Sequence, residues 1–372
     1  MFFAPALLAL TAGPTRTLNA DGTLRVSFGL TWIGVVLIIA MAIGFRYNVG
    51  GDWNEYFRYL FMGYFMRVED LRYVDDPGFM AVTLMSVYFG WNMTGMNIMA
   101  GLVLGFGIVA FVRSLPRPWL GLACAIPYLV IVVGMGYTRQ AMALGFVMVG
   151  LVELRREQFF RFALWVALGA LFHKTAVLMI PIAILTGERL RLQAVGLVGL
   201  VGFVSYDALL AQHTERLVDV YIENEAAESQ GAFIRLLMNV VPAILFLVYQ
   251  RRFLFVASEA RLWRIVSWTA LAMFVALLTT GFTTVLDRLA LYIIPLQLAI
   301  FSHLPDALGR PNGRNASLVA CILLYYATVQ FVWLNFASHS NEWVPYQTGW
   351  AMEWLDTPEG QETLRSFRVP SP

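Results

Sequence analysis

Charge is the first thing this chain has little of. Only 13% of its 372 residues are Asp, Glu, Lys or Arg, far too few to give a chain this apolar a solvated shell. Cysteine is nearly absent: Cys124 and Cys321 each sit inside an apolar run, with no CxxC or HxxxH spacing. Neither a disulfide nor a metal site is therefore expected, and both read as small buried residues. Lysine occurs once, as Lys174. There is no DxD and no P-loop pattern, which disfavours a transferase using sugar nucleotides at the inner face and leaves no metal or cofactor to place. The opening FFAPALLAL lacks a basic n-region and a clean cleavage site, so it reads as an interfacial helix and not as a removed leader.

What the chain has is apolar surface. Apolar residues make up 59% and aromatics 14%, with mean hydropathy +0.66. That composition specifies an all-α, polytopic membrane protein. Apolar runs at 27–45, 94–112, 119–136, 140–152, 159–172, 175–187, 192–210, 233–249, 265–281, 289–304 and 317–334 give about 11 transmembrane helices. The run 79–90 is too short to cross and reads as a re-entrant or short helix. Residues 1–334 form one membrane-embedded domain. Its outer segment 46–78 is rich in acids, arginines and aromatics and suits amphipathic interfacial helices. Its outer loop 211–232 is acidic and reads as a lid or as solvated filler. The tail 335–372 carries Trp343, Trp350 and Trp354, which read as interfacial anchors ahead of sugar-stacking groups. Gly101 and Gly105 form one GxxxG packing signal.

Arginine placement sets the orientation. With the N-terminus inside, the inner segments hold 15 of the 26 basic residues and 6 of the 24 acids. The outer segments hold the remaining 11 bases and 18 acids. This puts the N-terminus in the cytoplasm and the C-terminus outside. Arg46, Asp52, Arg139, His173, Lys174 and Arg288 then all fall at outer ends of spans or in outer segments. The runs 140–152, 159–172 and 175–187 are short. At ~1.5 Å per residue, 14 residues reach about 21 Å against a hydrocarbon core of ~30 Å. Polar ends must sink, so Arg139, Gln140, His173 and Lys174 are expected on the floor of a wet depression.

RYNVGGDWNEY at 46–56, YTRQAMAL at 137–144, LRREQFFRF at 154–162, ALFHKTAVLMIPI at 170–182 and DRLALY at 287–292 occur in that order. Through them the chain resembles the EpsG-type members of the Wzy-like polysaccharide polymerases, over roughly residues 30–300. Asp76-Pro77-Gly78 stands where an acidic-Pro-Gly element of that family is expected. The resemblance implies an architecture like that of membrane-embedded lipid-linked glycosyltransferases. It also implies polymerisation of glycan repeat units carried on undecaprenyl diphosphate, at the outer face of a bacterial inner membrane. The partners are then the lipid-linked glycan, the bilayer and a chain-length regulator, with no nucleic acid.

Residue chemistry can be set beside that implication. A diphosphate leaving group suits arginine, whose planar fork binds phosphate oxygens bidentately and keeps its charge. Arg46, Arg139 and Arg288 are the diphosphate candidates, against snorkelling to headgroups as the plainer alternative. His173 is a proton-acceptor candidate because neutral imidazole accepts a proton near neutral pH. Taken on residues alone, a structural His bonded to a backbone carbonyl is the simpler account, and the resemblance tips the balance. Asp52 competes for the base role, or caps the helix that follows GGD. Lys174 reads as a phosphate contact or a snorkelling cation. Tyr292 shares a helical face with Arg288 at i,i+4 and reads as a glycan or phosphate contact. A lipid-linked glycan ligase, a flippase or transporter, and a membrane acyltransferase acting on polysaccharide are the other function classes. A transporter would call for charges or polar breaks at mid-membrane, and the runs here are nearly free of them.

Overall fold

The structure, a computed structural model, describes residues 1–14, 29–186, 231–279 and 283–349. The expected span 192–210, nearly all of the outer loop 211–232, Trp350 and Trp354 lie outside the described residues. Among the described residues every regular element is a helix and none is a strand.

Fourteen helices of nine residues or more follow one another among the described residues: α1 Phe3–Thr11, α2 Leu30–Gly44, α3 Trp53–Gly63, α4 Pro77–Tyr88 and α5 Asn92–Arg113. Then come α6 Pro118–Gly136, α7 Thr138–Arg155, α8 Phe159–Ala170 and α9 Lys174–Thr186. The last are α10 Ala232–Tyr249, α11 Ala257–Thr279, α12 Thr283–Ile293, α13 Pro295–Leu308 and α14 Ala316–Phe336. Six helical segments among the described residues are long and apolar enough to cross a membrane: α5, α6, α10 with its 3₁₀ extension to Arg252, α11, α12 joined to α13, and α14. Helices α2, α4, α8 and α9 are apolar but shorter. The structure thus supports six of the expected eleven spans by length and composition.

Two boundaries differ from the sequence expectation. The run 140–152 lies within an 18-residue helix, because the polar ends Thr138–Arg139 and Glu153–Arg155 take part in helical hydrogen bonding. The span expected at 289–304 begins near Leu286, so it carries Arg288 within it. Residues α6 and α12–α13 are almost wholly enclosed, whereas α14 turns most of its surface outward. Pro127 removes a backbone donor inside α6, and the helix widens to a π-helical stretch over Ile126–Val133.

Close crossings rest on small residues. A Cβ on Gly101 would lie 2.8 Å from the Ala40 Cα, so the expected GxxxG packs α5 on α2. Cys124 is buried as expected, but Cys321 is exposed: it lies on the outward face of α14, which packs little of its surface against the bundle.

Helix α7 separates two polar ends of the bundle. At its start, the Thr138 hydroxyl accepts from Arg46 Nη2 at 2.7 Å. At its finish, Arg155 bridges Glu259 at 2.7 Å and donates to Ser114 Oγ at 2.6 Å. Beside that second end, Arg117 pairs bidentately with Asp306 at 3.2 and 2.9 Å. The 17 steps between Thr138 and Arg155 span about 26 Å, close to the ~30 Å of a bilayer core.

The segment after α14 folds back onto the first polar end. Tyr47 N–H donates to the Gln347 carbonyl at 2.9 Å and Gly50 N–H to the Glu342 carbonyl at 2.8 Å. Gly50 has φ +104°, and a Cβ there would collide with the Met135 carbonyl, so the turn needs glycine. Trp343 is buried at 6% exposure. Its indole donates to the Ile131 carbonyl at 3.0 Å and its ring meets Trp333 edge-on. It is packed inside the bundle and is not the interfacial anchor expected from its neighbours.

Candidate functional site

The first polar end gathers side chains from six stretches of sequence. Helix α3 closes one side because Trp53, Tyr56, Phe57, Leu60 and Gly63 recur at helical spacing and are buried. Its polar flank keeps Asp52 and Tyr59 beside the start of α7. Helix α4 begins with Pro77 at its first turn, where the missing N–H costs nothing. That start fixes Asp76 against the loop between α8 and α9.

Asp76 is the hub. Its carboxylate, 7% exposed, accepts from Arg139 Nη1 at 2.9 Å and from the Lys174 backbone N–H at 3.3 Å. His173 Nδ1 stands 3.7 Å away and has no hydrogen-bond partner. Gly78 N–H donates to the Leu171 carbonyl at 2.8 Å, stitching the start of α4 to the loop that carries His173. The Arg139 guanidinium also lies over the Tyr59 ring, 4.9 Å from its centroid, which leaves it directed and about one quarter exposed.

Asp52 precedes α3 but makes no side-chain capping bond. Burial raises its pKa from the usual carboxylate value, and the charges of Arg139, Arg288 and Arg46 partly oppose that rise. The carboxyl therefore sits within electrostatic reach of all three arginines. Arg46 is 1% exposed. One nitrogen donates to Asn97 Oδ1 at 2.9 Å and to Thr138, while Nε and Nη1 have no acceptor.

The other sequence candidates divide. Arg288 is exposed at this end. Gln140 is 4% exposed and its Nε2 donates to the Arg288 carbonyl at 2.6 Å, which ties α7 to α12. Tyr292 is 2% exposed, and its hydroxyl meets Thr175 Oγ1 at 3.2 Å. It ties α12 to the His173 loop. Lys174 reaches outward to Asp75 at 3.3 Å.

Two members were not among the residues singled out from sequence. Asp76 stood only in the acidic-Pro-Gly match, with no chemistry of its own. Arg235, inside an apparently apolar run, pairs with Asp287 in the bundle interior. It also bonds the hydroxyls of Tyr128 and Tyr137, the latter at 3.2 Å. A signal was present: opposite charges inside two apolar helices call for each other, because neither is tolerable alone in that surrounding.

Among the described residues no group of three or more His, Cys, Asp or Glu could hold a metal. The chemistry available is that of an imidazole beside a buried carboxylate, a second carboxyl of raised pKa and a set of guanidinium groups at one end of a helical bundle. The EpsG family model matches residues 29–348, a range that reaches past 300 to include the segment folded back over Arg46. No curated protein and no solved structure matches the chain.

Proposed function

From the premise that the chain belongs to the EpsG family, which suggests a role in polysaccharide biosynthesis, we propose that it polymerises lipid-linked glycan repeat units. The hydroxyl of an acceptor repeat unit attacks the anomeric carbon of the growing chain. The bond from that carbon to the diphosphate oxygen breaks, and a glycosidic C–O bond forms. The hydroxyl proton passes to the His173 imidazole at Nε2, since Nδ1 is buried against Asp76, or to the Asp52 carboxylate. The undecaprenyl diphosphate departs as an anion toward Arg139 and Arg288, with Arg46 supplying charge from below.

One observation carries this reading: Asp76 holds Arg139 and stands beside His173, so phosphate binding and proton transfer share one anchor. Fixed cations opposite the developing charge contribute more in a low-dielectric recess than in water. Asp76 is a positioning residue here, since it directs the groups that touch substrate. The site lies on the outer side of a bacterial inner membrane, with eleven crossings, the N-terminus cytoplasmic and the C-terminus outside. The excess of arginine at the opposite end supports that orientation. A chain-length regulator is the partner such a polymerase needs.

A flippase is the reading that competes, and the two separate on product. In cells carrying Arg139→Lys, which replaces a fork by a point charge, polymer disappears and single repeat units accumulate on the lipid carrier at the outer face. Accumulation at the inner face would instead indicate a translocation defect and would remove the polymerase assignment.

A further inference from the structure

A cavity opens at the same end of the bundle, between α6, α10, α14 and the returning segment, with a volume of about 410 Å³. Its polar end is made by Tyr128, Tyr137 and Arg235. That end is electrically closed. Arg235 is neutralised by Asp287, and its remaining nitrogens donate to the two phenols. An anion gains little there, because the charge is cancelled and the donors are spent.

Most of the remaining wall is apolar and aromatic, including Val329, Val332 and Trp333 of α14, with Thr328, Ser338 and His339 as its other polar members. Helix α14 faces outward over most of its surface, with Phe331 61% and Leu324 68% exposed. In a membrane protein that surface meets lipid, which gives an apolar occupant a route from the bilayer. The cavity is also contiguous with the cation cluster along two short pieces of chain. Tyr137 lines the cavity and Arg139 holds Asp76; Asp287 pairs with Arg235 and Arg288 follows it.

We propose that this cavity binds the phosphate-proximal prenyl units of an isoprenoid diphosphate whose charged head lies in the Arg139–Arg288 cluster. The inference rests on the polymerase reading and supplies the lipid subsite it lacks. A ligand that is uncharged in one compartment and dianionic in the next matches the division seen here. Methyl-branched, unsaturated units fill a wide cavity with aromatic walls better than a straight acyl chain does. The volume lies within the ~300–1,000 Å³ of small-molecule sites, enough for a few prenyl units, the rest of a long chain remaining in the bilayer.

The full chain in nanodiscs tests this with a short isoprenyl diphosphate carrying a diazirine in its second prenyl unit, followed by peptide mapping. Label is expected on α10 or α14. It should fall about tenfold in Val329→Trp and in Val332→Trp, which fill the cavity, and persist in Val329→Leu. Unlabelled isoprenyl diphosphate should compete and phosphatidylglycerol should not. Label elsewhere, indifference to both tryptophans in protein that accumulates normally, or equal competition by phosphatidylglycerol would overturn the proposal. Polymer formation by protein labelled elsewhere would sink the subsite alone. Cavity labelling in a protein that never extends lipid-linked repeats would sink the polymerase reading alone.

Discussion

Replacing Asp76 tests how much of the site depends on one carboxylate. Three groups converge on it: Arg139 at 2.9 Å, the Lys174 N–H at 3.3 Å and the His173 ring at 3.7 Å. Asp76→Asn keeps the shape and one acceptor but loses the charge. Charge-assisted hydrogen bonds contribute about 1.5–3 kcal/mol against about 0.5–1.5 for neutral ones. The difference, about 1 to 1.5 kcal/mol, corresponds to roughly a tenfold fall in rate if it is felt fully in the transition state. Asp76→Ala removes the acceptor too, leaving a partly buried guanidinium without its partner. Breaking such a pair costs about 3–5 kcal/mol when both partners are buried. Arg139 retains some exposure and the Tyr59 ring, so the lower end applies, about a hundredfold in rate. The assay is the length distribution of lipid-linked glycan in membranes of equal protein content, with Tyr59→Phe as a control that keeps the ring under Arg139. A graded loss, Asn milder than Ala, is expected. Polymerisation within about twofold of the parent in Asp76→Ala would refute the reasoning, since the stated bond energies leave no room for it.

Asp52→Asn and His173→Ala assign the base. If Asp52 accepts the proton, activity rises with pH as its carboxyl ionises. Burial places that limb above the ordinary carboxylate range of ~4, and Asp52→Asn abolishes it. Near-normal rates in His173→Ala would give the role to Asp52, and single repeat units on lipid carrier in that variant would give it to His173. Arg235→Ala or Asp287→Ala should each lower stability by about 3–5 kcal/mol, because each strands a buried charge. Arg235→Met combined with Asp287→Leu should recover most of it, as read by thermal unfolding in detergent. For orientation, a cysteine at His339 should react with impermeant reagent from outside and one at Asn312 only after lysis, in a background lacking Cys124 and Cys321.

The helical bundle was legible because long apolar runs admit only helices in lipid. The candidate site was partly legible, because arginines and a histidine at run boundaries are costly unless used. Gln140 and Tyr292 show the limit. Their spacing puts them beside Arg139 and Arg288, but spacing does not say which way a neighbouring helix will claim them. Gln140 is taken by the Arg288 carbonyl and Tyr292 by Thr175. Asp76 was hidden for the converse reason: its partners are about 63 and 98 residues away, and only the fold brings them together. The polar sequence neighbours of Trp343 suggest an anchor, yet the segment after α14 packs onto Gly136, where a Cβ would collide with the indole, and Trp343 is buried there.

The most direct measurement uses purified protein in liposomes with a defined oligosaccharide on undecaprenyl diphosphate. The account expects chains longer than one repeat, with one undecaprenyl diphosphate released for each new glycosidic bond. Transfer of the lipid-linked unit across the bilayer without elongation, or elongation without release of the diphosphate carrier, would contradict it.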